Sequence, residues 1–197
     1  MQLTPHSFVT HARKALEVPA SAFEALWDFG MDDEKVPPSF AMGQRMHRKQ
    51  ATFGAGYSFS RQKNSVFLTP ESEFPEAVRM ALEHAREISS TVNGVHVNWY
   101  PGGKAGVLPH ADDEPELVPE APIFSYTLLE SDEAPPRGFQ IYLGSETKPV
   151  ADIPLRNGDL VIMGGKMQQE CKHGVKKSAA KAFVNHRRIN ITVRTFL

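Results

Sequence analysis

Polar residues in the C-terminal half of the chain are spaced for metal and anion chemistry. His110 and Asp112 form an H-x-D pair, His173 lies far downstream, and a segment near the end reads R-I-N-I-T-V-R (188–194). Two imidazoles and one carboxylate can hold an octahedral metal on one face and leave the opposite positions open, as at a non-haem Fe(II) oxygenase site. Residues two apart in a strand face the same side, so Arg188, Asn190, Thr192 and Arg194 oppose Ile189, Ile191 and Val193. Two arginines turned into a protein interior are costly unless an anion meets them. A small dicarboxylate could satisfy both, because guanidinium groups grip carboxylates bidentately. Taken alone, the same strand is equally an edge strand with a solvated polar face. Each histidine alone is equally an ordinary core or surface residue. The order favours a site: H-x-D, a gap, His, then the arginine strand, each on or beside a predicted strand. Other metal sites fit poorly, since the chain has no HExxH helix and only one cysteine, Cys171.

Positioning these groups calls for strands. Beyond Gly94 the sequence breaks into short apolar runs separated by Gly, Pro and Asp, with candidates at 95–100, 123–130, 138–143, 160–163, 173–176 and 188–196. Regularly spaced short strands of this kind suggest a sandwich or jelly roll. In the first of them Val95, Val97 and Trp99 oppose His96, Asn98 and Tyr100. If the apolar set packs outward beneath helices, Asn98 and Tyr100 point into the barrel. Upstream, residues 1–30 read as helical, with Thr4-Pro5 as a start signal and Phe8, Ala12, Ala15 and Leu16 on one face. A second short helix is expected over about 21–29, with Gly30 as its stop. Residues 31–47 are loop-rich around Pro37-Pro38. Residues 48–68 read as short strands and turns framed by Arg45, Arg48, Lys49, Arg61 and Lys63. A long helix is expected over about 75–92, with Val78, Ala81, Leu82, Ala85 and Ile88 at helical spacing. The expectation is an α+β chain in which N-terminal helices pack on one sheet of a double-stranded β-helix, the jelly-roll core.

Composition narrows the class. A chain of 197 residues predicts one domain, 1–197, able to bury roughly 70% of its unfolded surface. A net charge of −1 gives no global attraction to nucleic acid, so any basic surface must be local. The single cysteine excludes an internal disulfide framework and fits a reducing compartment. No apolar run approaches the roughly 20 residues of a membrane span, and no signal-peptide core is visible at the N-terminus. A soluble intracellular protein is expected, in nucleus or cytoplasm, without a membrane partner. A monomer is expected as well, because no amphipathic stripe is left unexplained.

Four blocks then carry a resemblance: VNWYPGGKAGVLPHADDE (97–114), PIFSYTLLE (122–130), GDLVIMGGKMQQECKH (158–173) and RINITVR (188–194). Together they resemble the AlkB family of Fe(II)/2-oxoglutarate nucleic-acid dealkylases, over roughly residues 37–197. The resemblance implies that His110, Asp112 and His173 bind iron. It implies that Tyr100 and Arg188 hold the distal carboxylate of 2-oxoglutarate, and that Asn98 and Arg194 steady its chelating end with Asn190 nearby. It also implies the reaction: with Fe(II), 2-oxoglutarate and O2, an N-methyl group is hydroxylated, and the product collapses to formaldehyde and the repaired base. The expected substrates are 1-methyladenine and 3-methylcytosine in alkylated DNA, as DNA repair. The alternatives are an RNA demethylase and a non-catalytic binder of methylated nucleic acid on the same fold. Pro109 directly before the first ligand departs from the family pattern without removing a ligand.

A second resemblance lies in RKQATFGAGYSFSR (48–61), which is similar to the nucleotide-recognition lid of the animal AlkB homologue that repairs duplex DNA. It divides the domain into N-terminal helices (1–36), a nucleotide-recognition lid (37–70) and a helix plus jelly-roll catalytic core (71–197). It implies that Phe59 stacks on a flipped base bordered by Tyr57, that Arg48 lies near the nucleic-acid backbone, and that Asp113, supported by Glu114, reads the exocyclic amine. A base buried in a duplex must be flipped to reach iron, and Phe40 stands where that relative carries its wedge, with Met42 and Met46 as substitutes. The alternative reading makes Tyr57 and Phe59 core strand aromatics, and Phe40 a loop residue packed on its own domain. Lys172, Lys176 and Lys177 suit either phosphate contact or a solvated turn.

Overall fold

Two sheets face one another, and their inner surfaces enclose the polar residues singled out above. The computed structural model describes residues 1–41, 43–54 and 65–197. In chain order the elements are β1 (Ser7–Ala12), α1 (Ala20–Met31), β2 (Phe40–Ala41), β3 (Gln44–Arg45), β4 (Lys49–Gly54), β5 (Ser65–Phe67), α2 (Glu76–Ile88), β6 (Gly94–Pro101) and β7 (Val107–His110). There follow β8 (Ile123–Leu129), β9 (Arg137–Leu143), β10 (Ala151–Leu155), β11 (Asp159–Gly165), α3 (Met167–Glu170), β12 (Cys171–Val175) and β13 (Arg187–Arg194). The larger sheet runs β1-β11-β8-β13-β6-β4-β5, the smaller β10-β9-β12-β7, and β2 with β3 forms a separate hairpin. This is a jelly-roll core with few helices.

The central pair of the large sheet sorts the side chains. β13 lies antiparallel to β6 with Arg188 opposite Tyr100, Asn190 opposite Asn98 and Thr192 opposite His96. The other parity, Val95, Val97, Trp99, Ile189, Ile191 and Val193, is buried beneath α1 and α2. The α2 helix contributes Ala77, Val78, Ala81, Leu82 and Ala85 to that layer, and full burial of each Val or Leu stabilises by about 1.5–3 kcal/mol. Trp99 is fully buried and donates its indole N–H to the Leu26 carbonyl at 2.9 Å. Gly30 is not a helix stop. It lies within α1, where a Cβ would stand 2.2 Å from the Trp99 ring, so only glycine lets the helix approach this closely.

Three expectations about the scaffold need correction. The first N-terminal helix is a strand: β1 pairs antiparallel with β11, Ser7 opposite Gly165 through Ala12 opposite Leu160. Its alternation sends Ser7 and Val9 inward and Phe8 and Thr10 outward, and β-branched Val9 and Thr10 favour that conformation. The N-terminal segment 1–36 therefore holds one helix, α1, and one strand. Second, α2 stops at Ile88 rather than near 92. The following Ser89 and Thr91 bond to each other through their hydroxyls at 3.2 Å, and such local bonding competes with helix. Third, β7 and β10 were not foreseen; both are edge strands and both contain a proline. Proline lacks the N–H a central strand must donate, which confines it to such edges. Within 37–70, β4 and β5 extend the large sheet. Tyr57, Phe59 and Met42 lie outside the described residues.

Candidate metal centre and anion pocket

The ligand geometry starts from strand register. His110 ends β7, and its cross-strand partner on β12 is His173. Beyond this pair the register shifts, since Val175 faces Val107. A bulge of this kind bends a strand and re-aims its side chains. Gly174 accommodates it, because a Cβ there would come within 2.9 Å of the Val107 carbonyl. The imidazole centroids of His110 and His173 stand 4.4 Å apart. Asp112 lies just past the strand end, with Oδ1 3.5 Å from His110 Nε2 and Oδ2 3.9 Å from His173 Nε2. One donor atom from each residue falls within 4.8 Å of the others.

The protonation states suit a cation. His110 Nδ1 lies 3.0 Å from the Leu108 carbonyl, to which it donates, and this bond turns Nε2 toward Asp112. His173 is pushed down to about 3 by burial and by His110, and is neutral at physiological pH. Burial opposes ionisation of Asp112, but Arg194 and both imidazoles outweigh it and hold its carboxyl well below the usual range. Arg194 Nη2 approaches Asp112 Oδ2 at 2.9 Å, yet among the described residues neither buried carboxylate oxygen has a well-formed hydrogen bond. An ionised carboxylate and two imidazoles on one side of the pocket fit a divalent metal.

Arginines dominate the floor of the same pocket, which is lined by Arg48, Asn98, Tyr100, Arg188, Asn190 and Arg194 together with the three ligand residues. Arg188 is 1% exposed, lies 4.7 Å from the Tyr100 ring and donates Nη2 to the Thr127 hydroxyl at 3.1 Å. Its Nε and Nη1 have no hydrogen-bond partner among the described residues. Burial lowers the pKa of Arg188 and of Arg48. Arg137, behind them on β9, is pushed down to about 10 by burial and by Arg188. Its Nη2 is held by the Ala105 and Lys176 carbonyls at 3.0 and 2.8 Å. This much buried positive charge beside two neutral partners suits a dicarboxylate. Asn190 is already engaged by the wall: its Nδ2 donates to Ser125 Oγ and the Tyr126 carbonyl at 2.9 and 2.8 Å, and its Oδ1 accepts from Thr192.

Some residues sit away from their expected places. Arg48 was expected at the nucleic-acid backbone. Instead it is buried in the pocket and donates to Asn98 Oδ1. The signal was available, because Arg48 shares strand parity with Gln50 and Thr52, opposite buried Ala51 and Phe53. Asp113 is exposed and Glu114 half-buried. Both border a neighbouring cleft that shares Asp112, Met163 and Arg194 with the metal pocket. Phe40 is 57% exposed on its hairpin, and Met46 is half-buried. Lys172, Lys176 and Lys177 are all exposed. Sequence reading missed His96, which lines the pocket and whose Nδ1 lies 3.1 Å from Thr52 Oγ1. It also missed Thr127 and Arg137, which only strand pairing reveals.

A jelly roll with two histidines and an aspartate on one side of its interior and arginines on the other is the scaffold of a non-haem metal oxygenase. The sequence pattern of the 2OG-Fe(II) oxygenase superfamily matches residues 10–194, and the chain belongs to that family. Its cofactors are accordingly Fe(II), 2-oxoglutarate and O2, and it is a dioxygenase. No curated protein matches the sequence. Among 172 matching chains of solved structures is the plant AlkB homologue OsALKBH1. It is 18% identical, has a TM-score of 0.62, and the match covers 99% of this chain and 100% of that one. At that identity the likeness establishes the fold. Among the described residues no helix is long and apolar enough to cross a membrane.

Proposed function

We propose that this dioxygenase removes methyl groups from alkylated nucleic-acid bases, 1-methyladenine and 3-methylcytosine above all, as an AlkB-type repair enzyme. The observation that carries the reading is the R-x-N-x-T-x-R strand. Its arginines share one pocket with His110, Asp112 and His173, and the likeness to an AlkB homologue runs the length of the chain. His110, Asp112 and His173 hold the iron. Arg188 and Tyr100 receive the distal carboxylate of 2-oxoglutarate, while Asn98 and Arg194 steady the end that faces the metal. Asn190 acts from behind by fixing β13 to β8. When bound, iron and O2 supply the oxidation, which decarboxylates 2-oxoglutarate to succinate and hydroxylates the N-methyl carbon. The hydroxymethyl group then leaves as formaldehyde.

Asp113 and Glu114 supply acceptors for an exocyclic amine in the cleft beside the ligands. Tyr57 and Phe59 form the stacking surface on sequence grounds, and Phe40, 57% exposed, is the wedge that enters the gap left by a flipped base. Arg48 serves the co-substrate pocket by orienting Asn98.

Mass spectrometry of 1-methyladenine oligonucleotides, single-stranded and duplex, tests the reading with Fe(II), ascorbate and 2-oxoglutarate. Loss of one methyl mass is expected with the wild type and not with His110→Ala, and the faster oligonucleotide identifies the preferred strand form. Succinate formation without mass loss would assign the oxygenase to another substrate, such as a different RNA modification.

A further inference from the structure

We propose that Gln168 is a positioning residue for the metal centre, holding Asp112 through the backbone; the inference rests on His110, Asp112 and His173 being the metal ligands. The three ligands are not equally supported. His110 and His173 are cross-strand partners, so β-pairing fixes their spacing. Asp112 has left β7 for a loop, and a loop carboxylate must be held by something other than a ladder. Arg194 pairs with the Asp112 carboxylate, and the backbone is held by a side chain: the Asp112 N–H donates to Gln168 Oε1 at 2.9 Å, across 56 positions of sequence.

The acceptor is itself well anchored. Gln168 Nε2 points to Met163 Sδ at 3.6 Å, which turns the amide oxygen toward the Asp112 N–H. Gln168 belongs to α3, whose Met167 is buried in the cluster formed by Val9, Ile141 and Val161. The end of α3 is tied to the N-terminal segment, where Glu170 Oε2 accepts from Ser7 Oγ at 2.6 Å and from Thr4. The helix gives way directly to β12, which carries His173. Gln168 therefore connects the loop bearing one ligand to the element bearing another. Loss of the bond frees the Asp112 backbone to rotate, and a carboxylate that drifts by an ångström leaves the face it shares with the imidazoles. Gln168 also borders the cleft of Asp113 and Glu114, so the same bond sets the start of the segment that carries both.

Two substitutions test this. Gln168→Met keeps the length and flexibility of the side chain and removes the oxygen; Gln168→Glu keeps an acceptor oxygen. Mn(II) binding is titrated by the EPR signal of the free ion, and the melting temperature of metal-free protein is measured alongside. The expected result is Mn(II) affinity about 10–100-fold weaker in Gln168→Met, the usual effect of losing an outer partner of a metal ligand. Metal-free melting should match wild type, and Gln168→Glu should bind at least as tightly as wild type. Undiminished affinity in Gln168→Met overturns the proposal. So does a loss matched by a fall in metal-free stability, or a failure of Gln168→Glu to restore binding. A wild-type protein that binds no Mn(II) overturns the ligand assignment and the proposal with it.

Discussion

Replacing Arg188 by methionine should abolish co-substrate binding at little or no cost in stability. The guanidinium is 1% exposed, donates to the neutral Thr127 hydroxyl and leaves Nε and Nη1 unpartnered among the described residues. Exchanging a buried, poorly compensated charge for a packed apolar side chain commonly stabilises by about 1–4 kcal/mol. Against this stand the lost Thr127 bond, about 1 kcal/mol, and the lost contact with the Tyr100 ring, about 1 kcal/mol. The net change for the co-substrate-free protein lies between about −1 and +2 kcal/mol. At about 2–4 °C per kcal/mol for a chain of this size, melting should fall by no more than about 4 °C and can rise by up to about 8 °C. The wild type should gain about 2.7 kcal/mol from 2-oxoglutarate at a hundredfold excess over its Kd, a shift of about 5–11 °C. Arg188→Met should lose that shift. Thermal melting with Mn(II) present throughout, with and without 2-oxoglutarate, measures both effects. A variant that melts more than about 4 °C lower without co-substrate would refute the reasoning, because Arg188 would then be a brace of the barrel. A 2-oxoglutarate shift that survives would refute it equally.

Two further outcomes are expected. Buried His173 is depressed to about 3 against about 6.5 in the unfolded chain. Between those values the unfolded state binds the extra proton, so metal-free stability must fall as pH drops from about 6.5 toward 3. His173→Gln should reduce the slope by about 1.4 kcal/mol per pH unit in urea titrations between about pH 6 and 4.5. Gly30→Ala pits a helix-propensity gain of up to about 1 kcal/mol against overpacking of typically 1–3 kcal/mol. Trp99 is fully buried and bonded to α1 itself, so overpacking should win and melting should fall, and a rise in calorimetry would contradict the packing described.

The legible parts of the fold were those where a local pattern coincides with a tertiary demand. Strand parity alone placed Trp99 outward and Asn98 and Tyr100 inward, because the large sheet has one face under helices and one on the pocket. The same rule, carried one residue back from β4, turns Arg48 inward although it precedes the strand. Phe8, Ala12, Ala15 and Leu16 also match a helical spacing; pairing of β1 with β11, a contact between distant segments, overrode that pattern. β7 and β10 were hidden because proline argues against a strand until the strand is known to be an edge. Gln168 was invisible for another reason: an amide that bonds a backbone N–H 56 positions away leaves no periodicity in the sequence.

The position of His110 gives the metal centre an unequal lifetime among its parts. It sits on the shorter edge of the smaller sheet, in a four-residue strand interrupted by Pro109 and a bulge, with Leu108 80% exposed beside it. Short, thinly covered edges open at far lower free energy than central strands. The His110 side of the site can therefore open while His173 stays paired on β12 and Asp112 stays bonded to Gln168. The site would then open by local fraying of β7 and not by global unfolding. In hydrogen exchange, metal would slow the amides of β7 and leave those of β6 and β13 unchanged.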